Sequence, residues 1–98
     1  MTTPAGTGSD RVARDLVVRG LVQGVFFRDS TRGQATAWGV DGWVTNHADG
    51  SVRAHLEGAP DAVERLVRWA HRGPRHAAVE RVEVRVVDPC GCSGFEIR

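Results

Sequence analysis

The sequence contains no lysine and no tyrosine, and all 13 of its basic residues are arginines. Without lysine, the chain cannot form a Schiff base with a substrate or supply the phosphate-binding lysine of a Walker-type loop. Without tyrosine, it has no phenolic group to act as a base. Apolar runs are also short, with neither a signal-peptide pattern nor a stretch of transmembrane length. We therefore expect a cytoplasmic protein that has no membrane partner.

The chain has almost no excess of either charge. Its 13 basic and 12 acidic residues give a formal net charge of +1. Proteins that bind nucleic acids or anionic membranes usually carry a clear basic patch. An RNA-binding module would also need aromatic residues along its strands, and this pattern is absent. We therefore expect no nucleic-acid partner.

Cysteine is scarce. Cys90 and Cys92 are separated by a single glycine, a spacing too tight for an easy disulfide bond. Two thiols alone do not complete a tetrahedral metal site, and His55, His71 and His76 lack the spacing of metal ligands. We therefore expect reduced thiols in a surface loop, no bound metal and no cofactor.

The remaining composition is that of one small folded domain. The chain has 98 residues, of which 41% are hydrophobic, enough for a single modest core. Residues 1–10 are rich in threonine, glycine, serine and proline, which predicts a disordered tail. Residues 11–98 then form the domain.

Apolar periodicity and turn signals predict five strands and two helices. The strands are expected at 11–20, 42–47, 51–57, 82–86 and 95–98, with helices at 27–38 and 60–72. Asp49-Gly50 is a typical hairpin turn, and Gly39 and Gly73 are typical helix ends. The order β-α-β-β-α-β predicts an α+β, ferredoxin-like sandwich: an antiparallel sheet with two helices on one face and a short terminal strand.

Some burial patterns are predicted as well. The consecutive apolar residues 16–18 predict a first strand buried on both faces, and alternation at Val82, Val84 and Val86 predicts a strand buried on one face. Phe27, Trp38 and Trp43 are expected in the core rather than in a stacking platform for bases.

A glycine-rich segment, Gly20–Arg28, connects the first strand to the first helix. Glycine tolerates positive φ, so such a loop can direct several backbone N–H groups at one point, where the helix dipole favours an anion. Arg28 lies in the first helical turn and can reach back to grip two phosphate oxygens. By itself, the spacing also fits an ordinary glycine turn beside a surface arginine. The phosphate-binding hypothesis assigns the loop to Leu21, Val22, Gln23, Gly24, Val25, Phe26 and Arg28.

Two segments resemble the signatures of the acylphosphatase family. Gly20–Arg28 reads Gly-Leu-Val-Gln-Gly-Val-Phe-Phe-Arg, and Gly42–Val52 reads Gly-Trp-Val-Thr-Asn-His-Ala-Asp-Gly-Ser-Val. The similarity extends from about residue 16 to the end of the sequence. It implies the same ferredoxin-like fold and an enzyme that hydrolyses small acyl phosphates. We further expect a monomer that needs no metal. The similarity also implies that Arg28 binds the phosphate and that Asn46 orients the attacking water.

Alternatives remain at this stage. An asparagine at a strand end, such as Asn46, is typically a turn former, and His47 beside it is expected to be a solvated loop residue. The domain could also bind phosphate without turnover, or handle carbamoyl phosphate as an accessory domain of the same fold. The sequence departs from the family pattern at Cys90-Gly91-Cys92, at Thr45, where a basic residue is common, and in lacking a terminal aromatic residue.

Overall fold

The computed structural model describes residues 11–98, so the predicted disordered tail, residues 1–10, lies outside the described residues. Two helices and five strands are present in this part of the chain. In order they are β1 (Val12–Leu21), α1 (Phe27–Trp38), β2 (Asp41–Asn46), β3 (Val52–Gly58), α2 (Pro60–Arg72), β4 (Ala78–Val87) and β5 (Phe95–Ile97). Neither helix is long and apolar enough to cross a membrane.

The strands form one sheet in the order β4-β1-β3-β2-β5. All neighbouring pairs are antiparallel except β2 and β5, which are parallel. The predicted α+β class and element order are confirmed, and the parallel pair makes the sheet mixed. The parallel pairing of β2 and β5 follows from the connection between β4 and β5, which lie at opposite edges of the sheet. The chain leaves β4 at the end of the sheet where β2 begins, so β5 enters from that end and runs in the same direction as β2.

Both helices begin and end where the sequence predicts. Gly39 ends α1 in the left-handed conformation, and its backbone N–H donates to the carbonyls of Ala35 and Thr36. Pro60 occupies the first turn of α2, where its missing N–H costs nothing. The core contains residues of both helices and of the inner strands: Leu16, Val18, Phe27, Ala35, Val44, Val52, Leu56, Val63, Leu66 and Ala70.

Three burial predictions are corrected. In β1, Leu16 and Val18 are buried but Val17 is only half-buried, because the second face of the sheet carries no helix layer. Val84 and Val86 are 42% and 77% exposed, since β4 is an edge strand. Trp43 is also outside the core: it is half-buried and stacks on His55, with ring centroids 6.2 Å apart.

The connection between β4 and β5 is fixed to the sheet by Glu57, the penultimate residue of β3. Its side chain is fully buried, and its carboxylate accepts hydrogen bonds from three consecutive backbone N–H groups, those of residues 90–92, at 2.6–3.2 Å. Arg11 donates to the same carboxylate at 3.2 Å, and His55 Nε2 lies 2.6 Å from it. Arg11 also donates to Asp41 and to the Cys92 carbonyl. One carboxylate therefore joins β3, β1 and the loop that leads to β5.

We predict that Glu57→Gln destabilises the protein by about 3 kcal/mol. The substitution removes the buried charge that Arg11 and His55 share, and breaking a buried ion pair costs on this order. Each cation keeps one other carboxylate, Asp41 for Arg11 and Asp15 for His55. Urea unfolding of the variant measures the loss. Glu96→Gln is the matched control, because Glu96 is a 65% exposed carboxylate paired with Arg98, and its loss should be within about 0.5 kcal/mol.

The effect of Glu57→Gln should depend on pH. Burial alone would raise the pKa of Glu57, but hydrogen bonds from Cys90, His55 and Arg11 hold it far below its usual value of 4.5. Burial alone would lower the pKa of His55, but Glu57 and Asp15 raise it above 6.5. The Glu57 contribution is present above pH 4.5, and the His55 contribution is fully present below pH 6.5. The destabilisation should therefore be largest between these values and shrink in acid. Equal losses at about pH 3 and about pH 5.5 would contradict the network.

Candidate active site

The loop between β1 and α1 has a strained, left-handed backbone. Gly24 has φ 76°, and Phe26, the residue that caps α1, has φ 63°. A large non-glycine residue in this region costs roughly 1–2 kcal/mol, and such strain is often found at functional sites. The Phe26 ring is 75% exposed, so its own packing does not explain the conformation. The strain therefore points to a functional role for the loop backbone.

The N-terminus of α1 has unsatisfied donors. No side chain caps it, and its first backbone hydrogen bond runs from Ser30 N–H to the Phe26 carbonyl at 3.0 Å. The N–H groups of Phe27, Arg28 and Asp29 precede that bond and have no intrahelical acceptor. Together with the helix dipole, they favour an anion at this point.

A cleft of about 300 Å³ opens beside this helix end. It brings Arg28 and Asn46 together, although they belong to different elements. The lining residues are Val22, Gly24, Phe26, Phe27, Arg28, Asp29, Asn46 and Ile97. The two side chains that the sequence analysis singled out therefore share one cleft with the uncapped helix end.

Arg28 and Asn46 are both half-buried. The neighbouring Asp29 carboxylate contacts Arg32 at 3.6 Å, and within residues 11–98 no carboxylate forms an ion pair with Arg28. Likewise, the Asn46 side chain has no hydrogen bond to another residue of this range, and its backbone carbonyl accepts from Thr45. A guanidinium and an amide thus remain available to a molecule in the cleft.

Three of the predicted phosphate-binding residues do not line the cleft with their side chains: Leu21, Gln23 and Val25. Leu21 is 59% exposed and pairs with Ala78, while Val25 packs against the core. Any contribution of these residues would come from the backbone, so their role stays a prediction.

Gln23 connects the loop to the turn between β2 and β3. Its side-chain amide donates to the carbonyls of His47 and Ser51 at 2.8 and 3.0 Å. Because His47 directly follows Asn46, this contact fixes the position of the loop relative to the end of β2. Sequence reasoning included Gln23 among the phosphate ligands and missed this role, which depends on a register between strands.

The β2–β3 turn is held by its own polar groups. The Asp49 carboxylate accepts hydrogen bonds from the Ser51 hydroxyl and amide and from Arg53, which hold the pKa of Asp49 far below its usual value. The Ser51 side chain thereby helps to hold the turn. His47 is exposed beside Asp49, as expected for a loop histidine.

Comparison with known proteins identifies the family. A family model described as acylphosphatase matches residues 14–97. The chain belongs to the acylphosphatase family. Similar curated acylphosphatases include one from Rubrobacter xylanophilus, 58% identical over 83 residues (83% of this chain, 74% of the relative). Another, from Anaeromyxobacter dehalogenans, is 53% identical over 91 residues (92% of this chain, 98% of the relative).

The fold of the acylphosphatase family is equally clear in the structure. A solved acylphosphatase from Coxiella burnetii superposes with a TM-score of 0.89 at 34% sequence identity, covering 93% of this chain and 96% of that one. The ferredoxin-like arrangement expected from the sequence is therefore confirmed.

We predict that Gln23→Ala costs about 1–2 kcal/mol, because two side-chain hydrogen bonds are lost, although each carbonyl keeps a backbone donor. Amide hydrogen exchange should also become faster in residues 22–28 and 47–51. Gln34→Ala, within α1, is the control for loss of the amide group alone. Identical stability and exchange in the two variants would show that Gln23 does not connect the loop to the turn.

Proposed function

We propose that this chain is an enzyme that hydrolyses the carboxyl–phosphate bond of small acyl phosphates, giving a carboxylate and inorganic phosphate. The observation that supports this most is the single cleft that contains the uncapped end of α1, Arg28 and Asn46. Family membership supports the same activity.

The phosphate group would lie against the loop and the start of α1. Backbone N–H groups and the Arg28 guanidinium donate to its equatorial oxygens, where negative charge is concentrated in the transition state. The planar guanidinium can bind two oxygens at once and so fixes the orientation of the group. Phosphoryl transfer needs chiefly this positioning and charge stabilisation.

Asn46 would orient the attacking water. Its amide oxygen accepts a hydrogen bond from water while its NH₂ donates to phosphate. The water oxygen forms a bond to phosphorus, and the bond from phosphorus to the acyl oxygen breaks. The electron pair leaves with the carboxylate, a weak base that needs no strong acid, and a phosphate oxygen of the substrate takes the proton of the water.

We predict that the purified protein hydrolyses benzoyl phosphate at the same rate with and without a strong chelator. The positive field in the cleft comes from Arg28 and backbone amides, so the reaction does not require a metal ion. Release of benzoate and phosphate measures the rate. A chelator-induced loss that a divalent ion reverses would contradict the mechanism.

We predict that Asn46→Ala lowers kcat by about 10²–10³, the usual effect of removing one preorganised polar group from a transition state. Phosphate should still bind, because Asn46 acts on the water. Thr36→Ala, an exposed position in α1, is the control and should keep full activity. If Asn46→Ala keeps activity within about threefold of the parent, the loss is far smaller than expected and Asn46 is a turn former only.

We predict that inorganic phosphate raises the unfolding temperature beyond the effect of chloride at equal ionic strength. A ligand that binds only the folded state stabilises it by about 2.7 kcal/mol at a concentration of 100 Kd. Arg28→Lys keeps the charge but loses the planar pair of donors, so it should lose most of this shift and of the activity. Arg32→Lys, one turn further along α1, is the matched control. If Arg28→Lys keeps the full shift, the anion binds elsewhere.

A phosphate-binding or carbamoyl-phosphate-handling accessory domain remains the second candidate. It would show the phosphate-dependent shift without turnover of an acyl phosphate, so the two assays separate the candidates. A monomeric state and a cytoplasmic location complete the proposal, and sedimentation and cell fractionation test them.

A further inference from the structure

A second cluster of chemically active groups lies on the sheet face opposite the core. One potential ligand atom from each of His55, Glu57, Cys90 and Cys92 lies within 4.8 Å of the other three. We propose that these residues form a binding site for one Zn²⁺ ion. Sequence reasoning missed it because two ligands come from β3 and two from the β4–β5 connection.

The spacing of the four atoms is close to that of a tetrahedral zinc site. With Zn–S near 2.3 Å and Zn–N or Zn–O near 2.0 Å, neighbouring ligand atoms are about 3.3–3.8 Å apart. The two sulfurs are 3.2 Å apart, and Cys90 Sγ lies 3.6 Å from His55 Nε2. His55 Nε2 and Glu57 Oε2, now 2.6 Å apart, need to separate by less than 1 Å. Two sulfurs, one nitrogen and one oxygen suit zinc better than the all-oxygen sites of Mg²⁺ or Ca²⁺.

The histidine is already oriented for metal binding. His55 Nδ1 lies 2.6 Å from the Asp15 carboxylate, and its Nε2 faces the cluster. A carboxylate that holds the distal nitrogen of a histidine is the usual support of a zinc ligand, since it fixes the ring and its tautomer. When Nε2 gives up its proton to bind the ion, Glu57 Oε2 loses one donor and gains a lone pair that can face the metal.

The loop that carries the two thiols is held in place before any ion arrives. Glu57 accepts from the backbone N–H groups of Cys90, Gly91 and Cys92, so backbone contacts already hold the loop against the sheet. Cys90 is exposed and Cys92 half-buried, and both are free thiols, so an ion can reach them.

This site is separate from the cleft. His55 pairs with Trp43, three residues along β2 from Asn46, a distance of about 10 Å at the usual strand rise. Zinc would therefore join β3 to the β4–β5 connection and act on stability. The inference stands apart from the proposed hydrolysis, and Cys90→Ser with Cys92→Ser should leave turnover unchanged.

The test is titration of the full chain with Co²⁺ and Zn²⁺ under a phosphine reductant. We expect one Co²⁺ per chain, with the visible bands of tetrahedral coordination and a thiolate charge-transfer band, and displacement of Co²⁺ by Zn²⁺. Zn²⁺ should also raise the unfolding temperature. The Cys90→Ser/Cys92→Ser variant should lose all of these signals while unfolding normally without metal. His76→Gln, an exposed histidine outside the cluster, is the control and should bind like the parent.

Two further variants distinguish the complete site from binding by thiols alone. His55→Gln should abolish the tetrahedral bands, and Asp15→Asn should weaken Zn²⁺ binding by about 10–100-fold, the usual effect of losing such a support. The proposal is wrong if the parent binds no Co²⁺, or if the double serine variant binds as the parent does. It is also wrong if both the His55 and Asp15 variants bind with unchanged spectra and affinity.

Discussion

The buried carboxylate of Glu57 is the interaction on which the last part of the structure depends. It holds the backbone of residues 90–92 and Arg11 at one point, so the chain can cross from one sheet edge to the other. This crossing places β5 beside β2, where Arg98 N–H donates to the Val44 carbonyl. Ile97 of β5 then lines the active-site cleft. The Glu57 carboxylate at one end of the sheet thereby helps to position Ile97, which lines the cleft at the other end.

The proposed site depends mainly on backbone geometry. The start of α1 has no side-chain cap, and it lines the cleft together with Phe26, which is in the left-handed conformation. In the proposed mechanism, the side chains of Arg28 and Asn46 add the specific chemistry. A cleft of about 300 Å³ lies at the low end of ligand-pocket volumes, which fits a small phosphate-bearing ligand.

Local signals in the sequence predicted most of the fold, because glycine and proline mark the ends of both helices and the hairpin turn. The Gly20–Arg28 motif led to the cleft for the same reason: strand, loop and helix start are contiguous. The features that the sequence did not predict depend on contacts between residues that are far apart in the chain. The side-chain contacts of Gln23 follow from the β2–β3 turn, and the position of Trp43 follows from which sheet face the helices cover. The contacts of Glu57 with residues 90–92 likewise require the order of all five strands.

The paired strands β2 and β3 have a proposed binding site at each end. The two sites differ in whether their polar groups already have hydrogen-bond partners within the protein. Near Asn46, the Arg28 guanidinium and the Asn46 side-chain amide lack partners among residues 11–98. A phosphate would therefore gain hydrogen bonds without displacing any within the protein. Near Glu57, every buried side-chain nitrogen and oxygen of the described residues has a partner. An ion there must compete with protons on His55 and the two thiols, and its binding is coupled to their release. Phosphate affinity should therefore depend on hydrogen-bond donors that are already in place. Zinc affinity should depend on the release of protons from ligands that are already in contact.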